Sequence, residues 1–222
     1  MDAALALDDV YLTLPATSGP VEILKGVSFQ AMPGESVAVV GPSGSGKSSL
    51  ISVATGIERA TSGEVKLLGQ SLTGLSEDAL AKVRRGRVSL VFQSFHLLAT
   101  MTAFDNVRAP LEIAGIRDVD ALAKAGLEAV GLGARMDHYP GQLSGGERQR
   151  VAVARALASG PKIVFADEPT GNLDRASGVM VADMLFAIAK DRGATLVVVT
   201  HDMDLACRAD RIVEMSDGRI VA

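Results

Sequence analysis

The most constraining stretch of the chain is Gly41-Pro42-Ser43-Gly44-Ser45-Gly46-Lys47-Ser48, which fits the pattern G-x-x-x-x-G-K-[ST]. Just before it runs Ser36-Val37-Ala38-Val39-Val40, a short apolar run of the kind that forms a buried strand. Just after it, from Lys47 to about Thr55, the pattern turns helical. Strand, glycine-rich turn and helix form a unit in which backbone N–H groups converge on phosphate oxygens and a helix N-terminus adds its positive dipole end. In that setting Lys47 pairs with β- and γ-phosphates and the Ser48 hydroxyl ligates Mg²⁺.

The rest of the chain must fit around this unit. Residues 5–14 and 21–30 alternate apolar with polar and are separated by Pro15, Ser18, Gly19 and Pro20, which predicts two antiparallel strands and a loop. A hairpin-like piece at 63–69, a polar helix near 76–85 and the apolar strand 88–92 follow. From about Ser94 to Ser159 the periodicity is helical, with turn punctuation at Pro110, Gly115, Gly131, Gly133, Pro140 and Gly141. Strand pattern returns at 162–166 and 195–199, with a helix near 176–190 between them, and ends in a β pair at 211–215 and 218–221. The expectation is one α/β domain over 1–222 with a mixed or parallel sheet and an N-terminal antiparallel β subdomain. Its core spans 1–93 and 160–222, and a helical subdomain is inserted at 94–159.

Bulk properties narrow the function classes. A net charge of −4 lacks the concentrated positive face that a free-standing nucleic-acid binder needs. The one basic cluster, Lys82, Arg84, Arg85 and Arg87, reads as a solvated helix face or, more sharply, a lipid-headgroup contact. A single cysteine, Cys207, cannot form an internal disulfide; it fits a reducing compartment and reads as a small packer in a late helix. The start, Met1 to Leu7, has neither a basic nor an apolar leader region, and no run reaches the roughly 18 apolar residues a membrane span requires. The expected location is therefore cytoplasmic. A mean hydropathy of +0.27 without a span points to apolar surface covered by partners.

Two further segments carry chemistry. Ile163-Val164-Phe165-Ala166-Asp167-Glu168 is an apolar strand ending in two carboxylates. Asp167 at the strand end can reach a metal shell, and Glu168, turned outward, can polarise water for attack on a γ-phosphate; the bland alternative is an N-cap and turn. Leu143-Ser144-Gly145-Gly146-Glu147 leads into the helical stretch 148–158, with Ser144 as N-cap; it is either a second phosphate-binding helix start or only a cap. His201 follows the strand 195–200, and open α/β sheets place ligands at strand carboxyl ends. His96 and His138 read as surface or packing residues.

Residues 41–48, Gln93, 143–147, 167–168, Asn172-Leu173-Asp174 and His201 stand in the order of the ABC ATPase motifs, and the resemblance runs over essentially the whole chain. It implies an ATPase that uses ATP and Mg²⁺ and works as a dimer of two copies closing head to tail on two nucleotides. Carried over, the ATP contacts are Gly41, Pro42, Ser43, Gly44, Ser45, Gly46, Lys47, Ser48 and Ser49, and Ser144, Gly145, Gly146 and Glu147 complete the site of the opposite copy. Ser48, Gln93 and Asp167 are the implied metal residues. Glu168, His201 and Gln93 are the catalytic ones, with Asp174 passing signals between sites. The family usually stacks an aromatic on adenine; the aligned position here is Leu14, so an apolar contact from Leu14 or Val21 is expected instead, with weaker base selectivity.

Residues 92–98, 143–150 and 166–174 look most like the LolD/MacB/FtsE group, its YbbA-like members above all. That likeness implies a membrane partner with few spans and a large periplasmic domain, a location on the cytoplasmic face of the inner membrane, and ATP cycles turned into movement outside it. A regulatory ATPase controlling periplasmic cell-wall enzymes through a membrane partner would use the same residues. An ABC ATPase of DNA repair would need long coiled-coil heptads between its core halves, and one of translation would carry two cassettes; this chain has neither.

Overall fold

The computed structural model describes residues 2–17 and 19–221, so the expectations resting on Met1 and Ser18 lie outside the described residues. The run before the phosphate loop is β3 (Ser36–Val40), in which Val37, Ala38 and Val39 are fully buried. Burial on both faces follows from its position between two parallel neighbours, β8 (Thr195–Thr200) and β9 (Arg211–Ser216). The short β10 (Arg219–Ile220) pairs antiparallel with β9, which makes the sheet mixed.

The chain divides into two compact units, residues 1–84 with 195–222 and residues 85–194. The first unit also holds an antiparallel sheet in the order β2-β1-β4-β5, built from β1 (Leu5–Ala16), β2 (Gly19–Ala31), β4 (Ser62–Leu67) and β5 (Gln70–Ser71). β4 and β5 turn through Leu68 and Gly69, both at positive φ, which is the turn conformation that matches strand twist. Helix α1 (Lys47–Ala54) follows the phosphate loop, and α2 (Glu77–Arg84) and α7 (Met203–Ala206) complete the unit. Within the basic cluster, Arg84 is not a solvated charge. Its Nη1 donates to the Thr55 and Gly56 carbonyls at 3.2 and 2.8 Å, neutralising the negative end of α1. Cys207 is exposed just past α7 and packs no core.

In the second unit β6 (Val88–Phe92) and β7 (Ile163–Asp167) pair in parallel. Residues 94–159 hold α3 (Ala103–Ile113), α4 (Val119–Ala129), two 3-10 turns and α5 (Gly145–Leu157), followed after β7 by α6 (Arg175–Asp191). Ala103, Val107 and Leu111 form a fully buried stripe on α3 at the spacing of one helix turn, and α3, α4 and α5 pack on one another. Because α5 also packs on β6 and α6, the compact unit extends beyond 94–159.

Pro110 ends nothing. It lies inside α3, where burial of Val107 and Leu111 on either side of it outweighs the hydrogen bond its ring removes. Asn106, 2% exposed, holds the entry to that helix: its Nδ2 donates to the carbonyls of Leu98, Met101 and Thr102, and its Oδ1 accepts from Leu98 N–H.

Candidate active site

Helix α1 begins with Gly46 as N-cap in a left-handed conformation, φ 100°. A Cβ there would also lie 3.0 Å from the Ile23 carbonyl oxygen, so both conformation and space demand glycine. No side chain caps this helix and its first turn carries no acid. Its leading N–H groups are thus left for an external acceptor, as an anion site at a helix start requires. Lys47 is only 7% exposed, and its Nζ donates to the carbonyls of Gly41 and Pro42 at 2.8 and 2.9 Å. An ammonium has three N–H donors, so one remains for a phosphate oxygen. Ser48 is exposed and Ser49 half-buried in the first turn of α1.

The loop is braced from below. Gly218 N–H donates to the Ser45 carbonyl at 3.0 Å, Lys25 N–H to the Gly218 carbonyl at 2.8 Å, and Lys25 Nζ meets Asp217 at 2.6 Å. The Lys25 hydrogen bond holds the Asp217 carboxyl below its ordinary range.

His201 belongs to the same edge. Val40 on β3 lies opposite Thr200 on β8, so Gly41 and His201 are level at adjacent strand ends. An open cleft of about 490 Å³ lies there, lined by Val40, Gly41, Pro42, His201, Met203, Ile212 and Glu214. Asp202 fixes the segment: its N–H donates to Thr200 Oγ1 at 3.0 Å, and its carboxylate caps α7 by accepting from Asp204 N–H at 2.9 Å.

Leu14 sits opposite Val21 across β1 and β2. One strand position away the register slips between Leu12–Leu24 and Thr13–Glu22, so Ile23 is an extra residue bulged out of β2. The bulge returns Val21 to the sheet face of Leu12 and Leu24, and the Leu24 side chain lies 3.2 Å from a Cβ position on Gly46, beside that of Met215 at 3.0 Å. An aliphatic pair thus continues the face that packs on the phosphate-loop helix.

In the second unit Phe92 on β6 is opposite Asp167 on β7, which makes Gln93 and Glu168 level at their strand ends. Glu168 has φ 45°, left-handed and strained for a non-glycine residue, and its carbonyl accepts from Gly171 N–H at 3.0 Å. Phe95 and His96 also have positive φ, 61° and 47°. Arg155 of α5 holds both, donating to their carbonyls at 2.8 and 2.6 Å, while Arg148 lies 5.2 Å over the Phe95 ring. His96 is exposed and packs its ring on Phe92 at 4.5 Å, in line with the surface or packing role expected of it. Gln149, fully buried, donates from Nε2 to the Pro169 carbonyl at 2.7 Å and the Phe92 carbonyl at 3.4 Å. Nothing in the sequence singles out Arg155 or Asp202, and Gln149 stands out only as part of the family-like stretch 143–150.

Ser144 is the N-cap of α5, which starts at Gly145, three residues before the expected helical stretch, so Gly145 and Gly146 form its first turn. Ser144 Oγ accepts from Glu147 N–H at 3.3 Å and Glu147 Oε2 from Ser144 N–H at 2.8 Å, a reciprocal capping box. The backbone hydrogen bond from Ser144, followed by that from its side chain, holds the Glu147 carboxyl below its ordinary range. Asp174 caps α6 through its side chain alone, accepting from Ser177 N–H at 3.0 Å.

Comparison with known proteins then decides the family. The model of the ABC transporter family matches residues 24–171. The chain is 48% identical over 202 residues to the ABC transporter ATP-binding protein YbbA of Escherichia coli, covering 90% of this chain and 89% of that one. The chain belongs to the ABC ATPases. It is 45% identical to the lipoprotein-releasing system ATP-binding protein LolD 2 of Caulobacter vibrioides, over 99% and 97% of the two chains. It is also 44% identical to the macrolide export ATP-binding/permease protein MacB of Escherichia coli, of which it spans 34%. Among solved structures it is similar to the ATP-binding cassette MJ0796, dimeric in a post-hydrolysis state bound to ADP and Pi, with a TM-score of 0.91, 36% identity and coverage of 98% and 97%. This ABC ATPase is thus an ATP-binding, ATP-hydrolysing transporter subunit related to LolD and MacB. No helix among its described residues is long and apolar enough to cross a membrane.

Proposed function

We propose that the cassette binds Mg²⁺-ATP, dimerises on it, and drives a membrane partner of the lipoprotein-release or macrolide-export type. The observation that carries this reading is the Lys47 ammonium, held by two loop carbonyls beside an uncapped helix start with one N–H left for the γ-phosphate. Gly41, Pro42, Ser43, Gly44, Ser45, Gly46, Lys47, Ser48 and Ser49 contribute the phosphate grip, and Leu14 and Val21 an aliphatic surface for the base.

The donors Ser48, Gln93 and Asp167 fit Mg²⁺: all are hard oxygens, and no group of three or more His, Cys, Asp or Glu among the described residues forms an all-protein metal cage. Mg²⁺ is typically held through one or two carboxylates, here Asp167, with neutral oxygens, phosphate oxygens and water completing its shell. Bound there, it neutralises charge on the β- and γ-phosphates. Glu168 orients and deprotonates the attacking water, Gln93 helps to position it, and His201 hydrogen-bonds the γ-phosphate.

Ser144, Gly145, Gly146 and Glu147 of the second copy close over the nucleotide, and Asp174 reports closure between the sites. Loss of the γ-phosphate removes the link shared by the two copies, so the dimer reopens and the change passes to the membrane partner. The similarity to LolD and MacB supports a membrane permease partner and a peripheral position at the membrane; a large periplasmic domain on that partner and a place at the cytoplasmic face are what the resemblance to the LolD/MacB/FtsE group implies. Glu168→Gln tests the proposal. ATP should still bind and dimers accumulate in sedimentation, while turnover falls by about 10²- to 10⁴-fold; unchanged turnover refutes the assignment of the base.

A further inference from the structure

We propose that Asn172 is a positioning residue that decides which end of the Gln93 amide faces outward to a metal ion or water, an inference that rests on the metal role proposed for Gln93. The two side chains grip each other at two points: Asn172 Nδ2 lies 3.1 Å from the Gln93 main-chain oxygen, and Gln93 Nε2 lies 3.2 Å from Asn172 Oδ1. An amide's oxygen and nitrogen ends differ only in what they bond, so the partners must fix the orientation. Here they do. A main-chain carbonyl can only accept, so the Asn172 end beside it is the NH₂ group. Asn172 therefore offers its oxygen to Gln93, and Gln93 must present its own NH₂ to that oxygen. Gln93 Oε1 is left as the outward end and has no hydrogen-bond partner among the described residues. A hard oxygen is what Mg²⁺ requires, whereas the flipped amide would offer it an NH₂ group.

The turn after Glu168 is shaped for this contact. Gly171 N–H bonds the Glu168 carbonyl and Leu173 N–H the Thr170 carbonyl, each at 3.0 Å, which carries Asn172 back to Gln93. The Gln93 side chain lies over Gly171 so closely that a Cβ would come 2.8 Å from Nε2. Asn172 is also two residues from Asp174, the cap of α6, so a shift of that helix start reaches the Gln93 amide through one side chain. Partners that orient a metal residue in this way typically contribute 10- to 100-fold to metal affinity.

The test uses Mn²⁺ as probe and full-length Glu168→Gln protein with ATP, with free Mn²⁺ read by electron paramagnetic resonance. Asn172→Ala should weaken Mn²⁺ binding by about tenfold, and should weaken it no further once Gln93→Ala is present. Equal weakening in both backgrounds, or none in either, overturns the proposal. In the nucleotide-free protein the side-chain NH₂ resonances of Gln93 should move to the position of an unbonded glutamine in Asn172→Ala, with other signals in place. If they stay, the clamp does not exist. If they move while Gln93→Ala leaves Mn²⁺ affinity unchanged, the clamp stands and the metal role of Gln93 is what fails, and with it the presenting function of Asn172.

Discussion

The phosphate loop and the Gln93–Glu168 edge both stand at the carboxyl ends of parallel strands, yet different chemistry holds them. The loop is shaped by main chain: a left-handed Gly46, a bare helix start, and carbonyls of residues 41 and 42 gripping a lysine five or six positions on. The other edge is shaped by side chains reaching main-chain carbonyls far away in sequence. Gln149 spans 57 positions to Phe92, Arg155 spans 59 and 60 to His96 and Phe95, and Asn172 spans 79 to Gln93. The first region is a local device for holding an anion. The second is an assembly whose strained residues, Glu168, Phe95 and His96, stay in place because α5 and the following turn hold them.

Three substitutions sharpen that contrast, in falling order of effect. Lys47→Ala removes the buried ammonium from a local device, so nucleotide affinity should drop by about a hundredfold or more with little change in melting temperature. Titration with a fluorescent ATP analogue and a melting curve check both halves. Arg155→Leu should do the reverse. Burial already pulls this guanidinium below its ordinary pKa, and its two bonds are of the charge-assisted kind. Losing them should cost about 2–4 kcal/mol, on the order of 5–10 °C, while phosphate-loop affinity stays near wild type. A large loss of nucleotide binding in Arg155→Leu would erase the distinction between the regions.

The smallest effect is at Ser144. Ser144→Ala should lower stability by about 1 kcal/mol at neutral pH. Ser144 depresses the Glu147 carboxyl from 4.5 first through its backbone N–H, which Ser144→Ala keeps, and second through its side chain, which it loses; with that second bond present the unfolded state binds the proton more readily than the folded one. That contribution is therefore present above pH 4.5 and is lost as pH falls through the lower folded value. The gap between Ser144→Ala and wild type should narrow below about pH 4 in melting curves; a gap that widens on acidification contradicts the capping box.

The same contrast explains how much of the molecule was legible in its sequence. A main-chain device needs particular residue types at fixed spacing, so strand, loop and helix at 36–55 could be read directly, as could Ser144 as a helix cap. Asp174 carries a local cap signal too, an Asp just before a periodic run, while its role between sites comes only from the family's motif order. Gln149 and Asn172 stand only inside family-like stretches and Arg155 in none; no local signature marks their contacts, because their partners are carbonyls and every residue has one. Pro110 misled for a related reason: its local effect is known, but the buried stripe that overrides it is tertiary. The fold, by contrast, followed from alternation and apolar runs, which are local.

The central claim is that one nucleotide is held by the phosphate loop of one copy and the Ser144 helix start of the other. Engineered thiols at Ser43 and Ser144, in a Glu168→Gln, Cys207→Ser background, test it most directly. Disulfide-linked dimers should form rapidly with ATP and Mg²⁺ and slowly without them. Crosslinking that proceeds at the same rate whether or not triphosphate is present would contradict the account.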